Sequence, residues 1–449
     1  MNRHAYSVPT RTERVLVMKG MAMKRRLAAA AALGLSAALA LSACSSSSKS
    51  GSGSGASAGS GSPVTVHFFG ADYGTAGTSN SSQLYWQGIA TAFHKANPNI
   101  TVDVQTIDWN DFPTKLKTML QAKNYPDIIE GDAPQEYASE GIAYPASKVL
   151  SATTLSNLIP TFAKQGDYQG TEYGIPFTTS TRALYYNKKL FTQAGITAPP
   201  TTWAQLAADA AKIKALGNST IGYGMPLGTE EAQAESYMWM LGDGGGYQTG
   251  GKYTINSAAN VSAFQFMNTM VKAGDTEANP GTVKRATMWS DFASGQVGMV
   301  GGSPAVVPII QAAGTLQSSD WGTAPFPGQN GPVTAPLGVD DQIVALNVHN
   351  QQSAISSFLS FAYQDQYQAA FDKLYDLLPA TTSAAQTMST DPTFGPFVAA
   401  ISTSSAYPSD ANWSDVSTQI KNSIGAAVDG TDPATVLGQI QTFATSGSN

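Results

Sequence analysis

Apolar and polar residues alternate along Val64-Thr65-Val66-His67-Phe68-Phe69, the two-residue period of a strand. The period then changes. From Tyr85 to Ala96 the large apolar residues Trp86, Ile89 and Phe93 share one helical face, and Asn97-Pro98 stops the helix. Ile100 to Ile107 alternates again as a second strand. Phe112 to Ala122 carries Leu116, Met119 and Leu120 at helical spacing, and Asp127-Ile128-Ile129 reads as a short buried strand. This strand–helix–strand–helix–strand succession predicts a mostly parallel sheet covered on both faces and joined by right-handed crossovers.

The alternation resumes downstream. Ala183-Leu184-Tyr185-Tyr186 is strand-like. Thr202-Trp203-Ala204-Gln205 has the form of a capping box, opening a helix whose buried stripe is Leu206, Ala210 and Ile213 and whose C′ residue is Gly217. Val297 to Val300 and Ile343 to Leu346 read as further buried strands, Ala354 to Tyr363 and Val416 to Ala427 as late helices. No fixed period repeats, which argues against a solenoid. At 449 residues the chain exceeds the usual size of one domain, so two lobes with appendages are expected.

Composition narrows the function. Hydrophobic residues make up 42% and charged residues only 12%, so the chain buries a real core. The overall charge is −6, but residues 1–43 hold seven basic residues and one acid; the remainder carries 18 basic and 30 acidic residues, a net of −12. An acidic body is a poor partner for nucleic acid and disfavours polyanionic solutes. His67, His94 and His349 are dispersed without a metal-ligand spacing, so no metal and no cofactor are expected.

The first 62 residues are a separate matter. Lys24-Arg25-Arg26 precedes an apolar, Ala-rich run from Leu27 to Leu41, and Leu41-Ser42-Ala43-Cys44 follows. The run is shorter than the ~20 residues of a membrane span. It resembles a bacterial lipoprotein signal peptide (1–43, with a start at Met23 as one alternative), in which the single cysteine Cys44 receives the lipid. Residues 45–62 are Ser, Gly and Ala with Lys49, a flexible tether of 18 residues spanning roughly 21–25 Å. The protein is therefore expected on the extracytoplasmic face of the membrane, lipid-anchored.

Several segments of the body carry a family likeness in a consistent order. They are Phe93 to Ile100; Tyr125-Pro126-Asp127-Ile128-Ile129; Tyr173-Gly174-Ile175-Pro176-Phe177 followed by Tyr186-Asn187-Lys188; Ala194-Gly195-Ile196 with Pro199 to Trp203; Phe292 to Met299; and Pro336-Leu337-Gly338. Together they resemble the family 1 extracellular solute-binding proteins, the group of maltose-binding protein. The resemblance implies an α/β, periplasmic-binding-protein-like fold: two Rossmann-like lobes joined by a hinge, with a ligand cleft between them. Lobe 1 would comprise 63–178 plus 336–378 and lobe 2 179–335 plus 379–446, with hinge crossings near 176–180 and 331–338. It further implies capture of a mono- or oligosaccharide by a monomer, delivery to the membrane subunits of an ABC importer, and no enzymatic activity.

Sugars present hydroxyl edges and apolar C–H faces, so candidate contacts are aromatic plates and planar polar groups at strand ends and crossings. Asp72 and Tyr73 follow the first strand, as hydroxyl acceptor and stacking ring or as an Asx turn and a surface ring. Asp132 follows the third strand, as a contact or as a helix N-cap. Ser180 and Arg182 lie just past the first crossing. Glu231, Glu235 and Trp239 belong to a stretch that is either a cleft wall or an acidic helix with core aromatics. Ser303 follows a buried strand where some relatives carry an aromatic ligand contact that is absent here. Asp340 and Asp341 follow the return crossing, in the cleft or on a surface turn. Trp413 is either a stacking ring or core. Two other readings stay open: a surface glycoside hydrolase, in which Asp132, Glu231 and Asp341 would converge as the required carboxylates, and the capture of a non-sugar solute such as a polyamine.

Overall fold

Buried apolar residues on both faces of one strand organise the first half of the molecule. The computed structural model describes residues 62–446 except 110, 132, 133 and 218; the signal peptide, Cys44 and the tether lie outside the described residues, apart from residue 62. Strand β1 (Val64–Asp72) pairs in parallel with β2 (Ile100–Asp108) and with β3 (Ile128–Gly131). Side chains alternate across a strand. Val66 and Phe68 meet Trp86, Ile89 and Phe93 of the Ser82–Ala96 helix, whereas Phe69 and Ala71 meet Phe112 and Leu116 of the Phe112–Gln121 helix. Helices cover both sides of this parallel unit, as the periodicity predicts.

Seven more strands complete two sheets: β4 (Gly174–Thr181), β5 (Ala183–Asn187), β6 (Ile221–Gly224), β7 (Val297–Gly302), β8 (Trp321–Ala324), β9 (Gly338–Ala345) and β10 (Leu378–Pro379). The first sheet has the order β10-β4-β9-β3-β1-β2 and the second β8-β5-β7-β6. The expectation of mostly parallel sheets needs correction. Parallel pairing is confined to β1 with β2 and β3, and to β7 with β6; the other five neighbouring pairs are antiparallel. Strands that arrive from the opposite lobe do not pass through a local βαβ crossover, so nothing constrains them to run parallel.

The fold is thus two α/β lobes, one on each sheet. Their junction is abrupt. β4 stays in the first sheet through Thr181, which pairs with Gly338, and β5 begins at Ala183 in the second. One residue, Arg182, separates them, a few residues later than the crossing expected at 176–180. Residues 325–337 return from β8 to β9. A core cluster spans this region, joining Ile159 and Phe162 to Tyr185, Val300, Leu378, Phe397 and Ile401.

Local chemistry follows the sequence closely at the Trp203–Lys214 helix. Thr202 is its N-cap and its side chain accepts from the Gln205 amide (3.3 Å). The Gln205 side chain returns to the amide of Thr201 (2.8 Å), one residue earlier than the capping-box pattern places it. The helix ends at Lys214 with Ala215 as its C-cap, so Gly217, left-handed at φ +76°, lies two residues past the cap and not at C′.

Candidate ligand-binding cleft

Arg182, held between the two sheets, is 7% exposed, and its guanidinium aims two ways. Nη1 donates to Ser180 Oγ (2.9 Å), and Nη2 stands 4.0 Å from Glu231 Oε2. Glu231 is the N-cap of the Ala232–Gly242 helix, where the exposed amides favour an acid, yet its carboxylate caps nothing. It serves instead as a hub. Arg285 Nη1 lies 3.3 Å from Glu231 Oε2, and Arg285 Nη2 lies 3.3 Å from Glu230 Oε1. The Arg285 guanidinium also sits 4.4 Å above the Trp289 ring. Burial alone would raise the Glu231 pKa, but Arg285, Lys421, Arg182 and a hydrogen bond from Gln233 outweigh it and hold the group below its ordinary value.

Glu235, one turn on, is 7% exposed and behaves oppositely. Burial pushes its pKa from 4.5 up to about 7, against the pull of Arg285 and Arg182. Its carboxyl lies over Gly301 of β7, where a methyl group would stand 3.3 Å from Oε2. Five buried polar atoms around this hub have no hydrogen-bond partner: Arg182 Nε, Arg285 Nε, Gln233 Oε1, Glu235 Oε1 and the Tyr407 hydroxyl. A buried group left unpaired costs about 1–3 kcal/mol, so these five atoms leave hydrogen-bonding capacity open to a polar ligand.

Aromatic rings adjoin the hub. Tyr407 stacks on Tyr237 (5.8 Å between centroids, 20°) and meets Trp413 (5.3 Å); Trp413 and Tyr237 in turn meet Tyr247. Tyr407 is only partly buried and also lines a groove of about 320 Å³. Pro160, Thr161, Lys164 and Gln165 wall it on one side, Ala406 and Ser409 on the other. A ring face beside convergent polar groups is the arrangement that binds the C–H face and hydroxyls of a sugar.

A second cluster sits at the end of the first sheet. The Tyr73 hydroxyl lies 2.5 Å from Glu130 Oε1 and 2.8 Å from Asp341 Oδ2. A phenol has one proton, so it donates to one carboxyl and accepts from the other, which must be protonated. Burial, reinforced by Asp341, raises the Glu130 pKa well above its ordinary value, consistent with that extra proton. Trp109, Phe371 and Tyr375 pack around the Tyr73 ring.

The structure therefore sorts the sequence candidates. Ser180, Arg182, Glu231 and Glu235 converge, with Trp413 supporting the Tyr407 ring; Tyr73 and Asp341 meet in the second cluster. Asp340 lies on the opposite face of β9 from Asp341, as alternation demands, and accepts from Gln342. Three candidates are placed elsewhere. Asp72 accepts from Ser81 Oγ, Ser82 N and Gly74 N, so the start of the first helix consumes its carboxylate. Trp239 is 2% exposed among Trp203, Tyr223 and Phe326, a core ring because its helix is buried almost all round. Ser303 is 4% exposed, and its carbonyl accepts from the Tyr185 hydroxyl. Asp132 lies outside the described residues. Arg285, Tyr407 and Glu130 are site residues with little signal in the sequence: Arg285 stands four residues before Trp289, a spacing that stacks them on one helix face, and Glu130 ends a buried strand.

The comparisons with known proteins agree with this architecture. The profile described as bacterial extracellular solute-binding protein matches residues 88–396. A binding protein of Brucella abortus (strain 2308) is 29% identical over 67% of this chain and 74% of its own length. The sn-glycerol-3-phosphate-binding periplasmic protein UgpB of Brucella melitensis is 27% identical over 55% of this chain and 59% of its own. An ABC transporter solute-binding protein of Thermotoga lettingae, solved with α-D-tagatose, superposes with a TM-score of 0.74 at 21% identity, covering 86% of this chain and 99% of the other. Among the described residues no helix is long and apolar enough to cross a membrane. Two α/β lobes meeting at a polar, aromatic-walled cleft, together with a profile match over most of the body, establish that the chain belongs to the bacterial extracellular solute-binding protein family.

Proposed function

We propose that the protein captures a sugar in the cleft between its lobes and delivers it to an ABC importer, acting as a binding protein and not as an enzyme. The observation that carries this reading is the set of five unpaired polar atoms around Glu231 beside the Tyr407 ring. The tagatose-bound neighbour supports it. The two lobes, one on each sheet, close about Arg182 and residues 325–337. Contacts that only the closed form makes shift the population toward it. A lipid at Cys44, with the 45–62 tether, keeps the body at the extracytoplasmic membrane surface, and the protein works as a monomer.

A thermal-shift panel of mono- and oligosaccharides tests the capture reading, because a ligand that binds only the native state raises the melting temperature. At least one carbohydrate raises it, and Tyr407→Ala or Arg182→Ala abolishes the rise. The reading fails if no carbohydrate shifts the melt while a charged solute such as a polyamine does. For the anchor, Cys44→Ser releases the protein from membranes during detergent-free washing; continued retention counts against the tether.

A further inference from the structure

Resting on the sugar-capture reading, we infer that Asp372, which lies outside the cleft, is a positioning residue for sugar binding: it anchors Thr178 and so sets the end of β4 that presents Ser180 and Arg182.

The last four residues of β4, Thr178 to Thr181, each carry a hydroxyl, and all four are buried. Three of the hydroxyls reach other segments. Thr178 Oγ1 donates to Asp372 Oδ1 of the Asp365–Tyr375 helix (3.1 Å). Thr179 Oγ1 donates to the Leu378 and Pro379 carbonyls of β10 (3.2 Å each), and Thr181 Oγ1 to the Phe397 carbonyl (3.0 Å). The fourth, Ser180, accepts from Arg182 and belongs to the hub. The strand end is thus pinned to three segments, and what it offers the cleft is Ser180 with Arg182. Two of the pins end on backbone carbonyls, which any residue supplies. Asp372 is the one pin of the three made by a side chain.

Stability alone does not account for an acid here. Asp372 is 1% exposed, and its Oδ2 has no hydrogen-bond partner. Gln368, one turn earlier on the same helix face and equally buried, has neither amide atom paired. Apolar side chains at these two positions would spare the desolvation cost. What the carboxyl supplies is the bond to Thr178. That threonine has one proton and two acceptors in reach, since the Leu378 carbonyl lies 3.4 Å from its Oγ1. A neutral carboxyl donates as well as accepts, which leaves the threonine proton to Leu378; a carboxylate cannot do this. Burial pushes the Asp372 pKa up to about 8 against the pull of the Thr178 bond, so the neutral form prevails at neutral pH. Among the described residues, β4, β10 and the Thr382–Met388 helix bring no titratable side chain to it. The first helix faces it with Tyr85, and its own helix carries Asp365, Lys373 and Tyr375, with Asp376 as the cap.

The experiment is isothermal titration of the full chain in detergent, with tagatose, maltose and the carbohydrates that raise the melting temperature as probes. Asp372→Leu and Thr178→Val each weaken binding of the sugar that wild type holds best by roughly tenfold, the scale of one hydrogen bond. Asp372→Asn donates and accepts like the neutral acid and stays within about threefold of wild type. Asp372→Leu combined with Thr178→Val is no weaker than either alone, because both remove the same bond. Between about pH 6.5 and about pH 9 wild type loses affinity relative to Asp372→Asn as the carboxyl ionises; Glu235 titrates in both proteins and cancels. An Asp372 that only stabilises the fold lowers the melting temperature and leaves the affinity alone. That result, or losses that add in the double variant, overturns the inference and leaves sugar capture standing. If Asp372→Leu does not fold, Thr178→Val and the pH comparison decide by themselves. If no carbohydrate binds wild type, sugar capture itself fails, and this inference with it.

Discussion

Glu235 carries a proton that the unfolded chain would release, and replacing it measures the cost. In the folded protein its pKa is about 7, against an ordinary 4.5. Below 4.5 the carboxyl is protonated in both states and contributes no pH dependence. Between 4.5 and about 7 the unfolded chain loses its proton while the folded protein keeps it, so stability falls by about 1.4 kcal/mol per pH unit. Above about 7 both states are ionised and the loss is complete, about 3 kcal/mol in all. Glu235→Gln mimics the protonated form at every pH and removes this dependence. Urea denaturation of wild type and variant at about pH 5 and about pH 8 gives the difference directly, and other buried acids such as Glu277 and Asp372 cancel from it. The variant gains nearly the full amount relative to wild type on going to the higher pH. Parallel stability curves for the two proteins would refute the claim that burial, rather than Arg182 and Arg285, governs this carboxyl.

Three other substitutions probe separate parts of the fold. Trp86→Ala removes a fully buried ring lying 4.3 Å from Phe68 and 4.8 Å from Phe177; chemical denaturation should show a loss of about 3–5 kcal/mol. Tyr73→Phe deletes the hydroxyl that bridges Glu130 and Asp341. It costs about 1–3 kcal/mol, read as a lower urea midpoint. Thr202→Ala removes an N-cap acceptor and lowers stability by about 1 kcal/mol, read as a lower urea midpoint with unchanged slope.

Much of the fold was legible in one dimension because its causes are local. The spacing of Trp86, Ile89 and Phe93 demands a helix over a buried face, the alternation through Val66 and Phe68 demands a strand, and both occur. Thr202 starts its helix through its own side-chain chemistry. Ser180 and Arg182 stand out because they follow the crossing where the resemblance puts a ligand contact, and Glu231 and Glu235 because they belong to a dense polar and aromatic stretch. Trp239 was ambiguous for an equally local reason: a helix buried nearly all round has no polar face to mark which aromatic points outward.

Other features exist only once the chain is folded. Tyr407 precedes a proline in an irregular stretch without periodicity, and it becomes a cleft ring only because Tyr237 and Trp413, far away in the sequence, pack against it. Arg285 reaches Glu231 across more than fifty residues, and Tyr73 reaches Asp341 across 268. The antiparallel direction of β9 in its sheet was likewise decided by the return of the chain from the other lobe. Periodicity and capping are properties of neighbours along the chain; proton sharing and charge pairing depend on distances of a few ångströms between segments that only tertiary packing brings together.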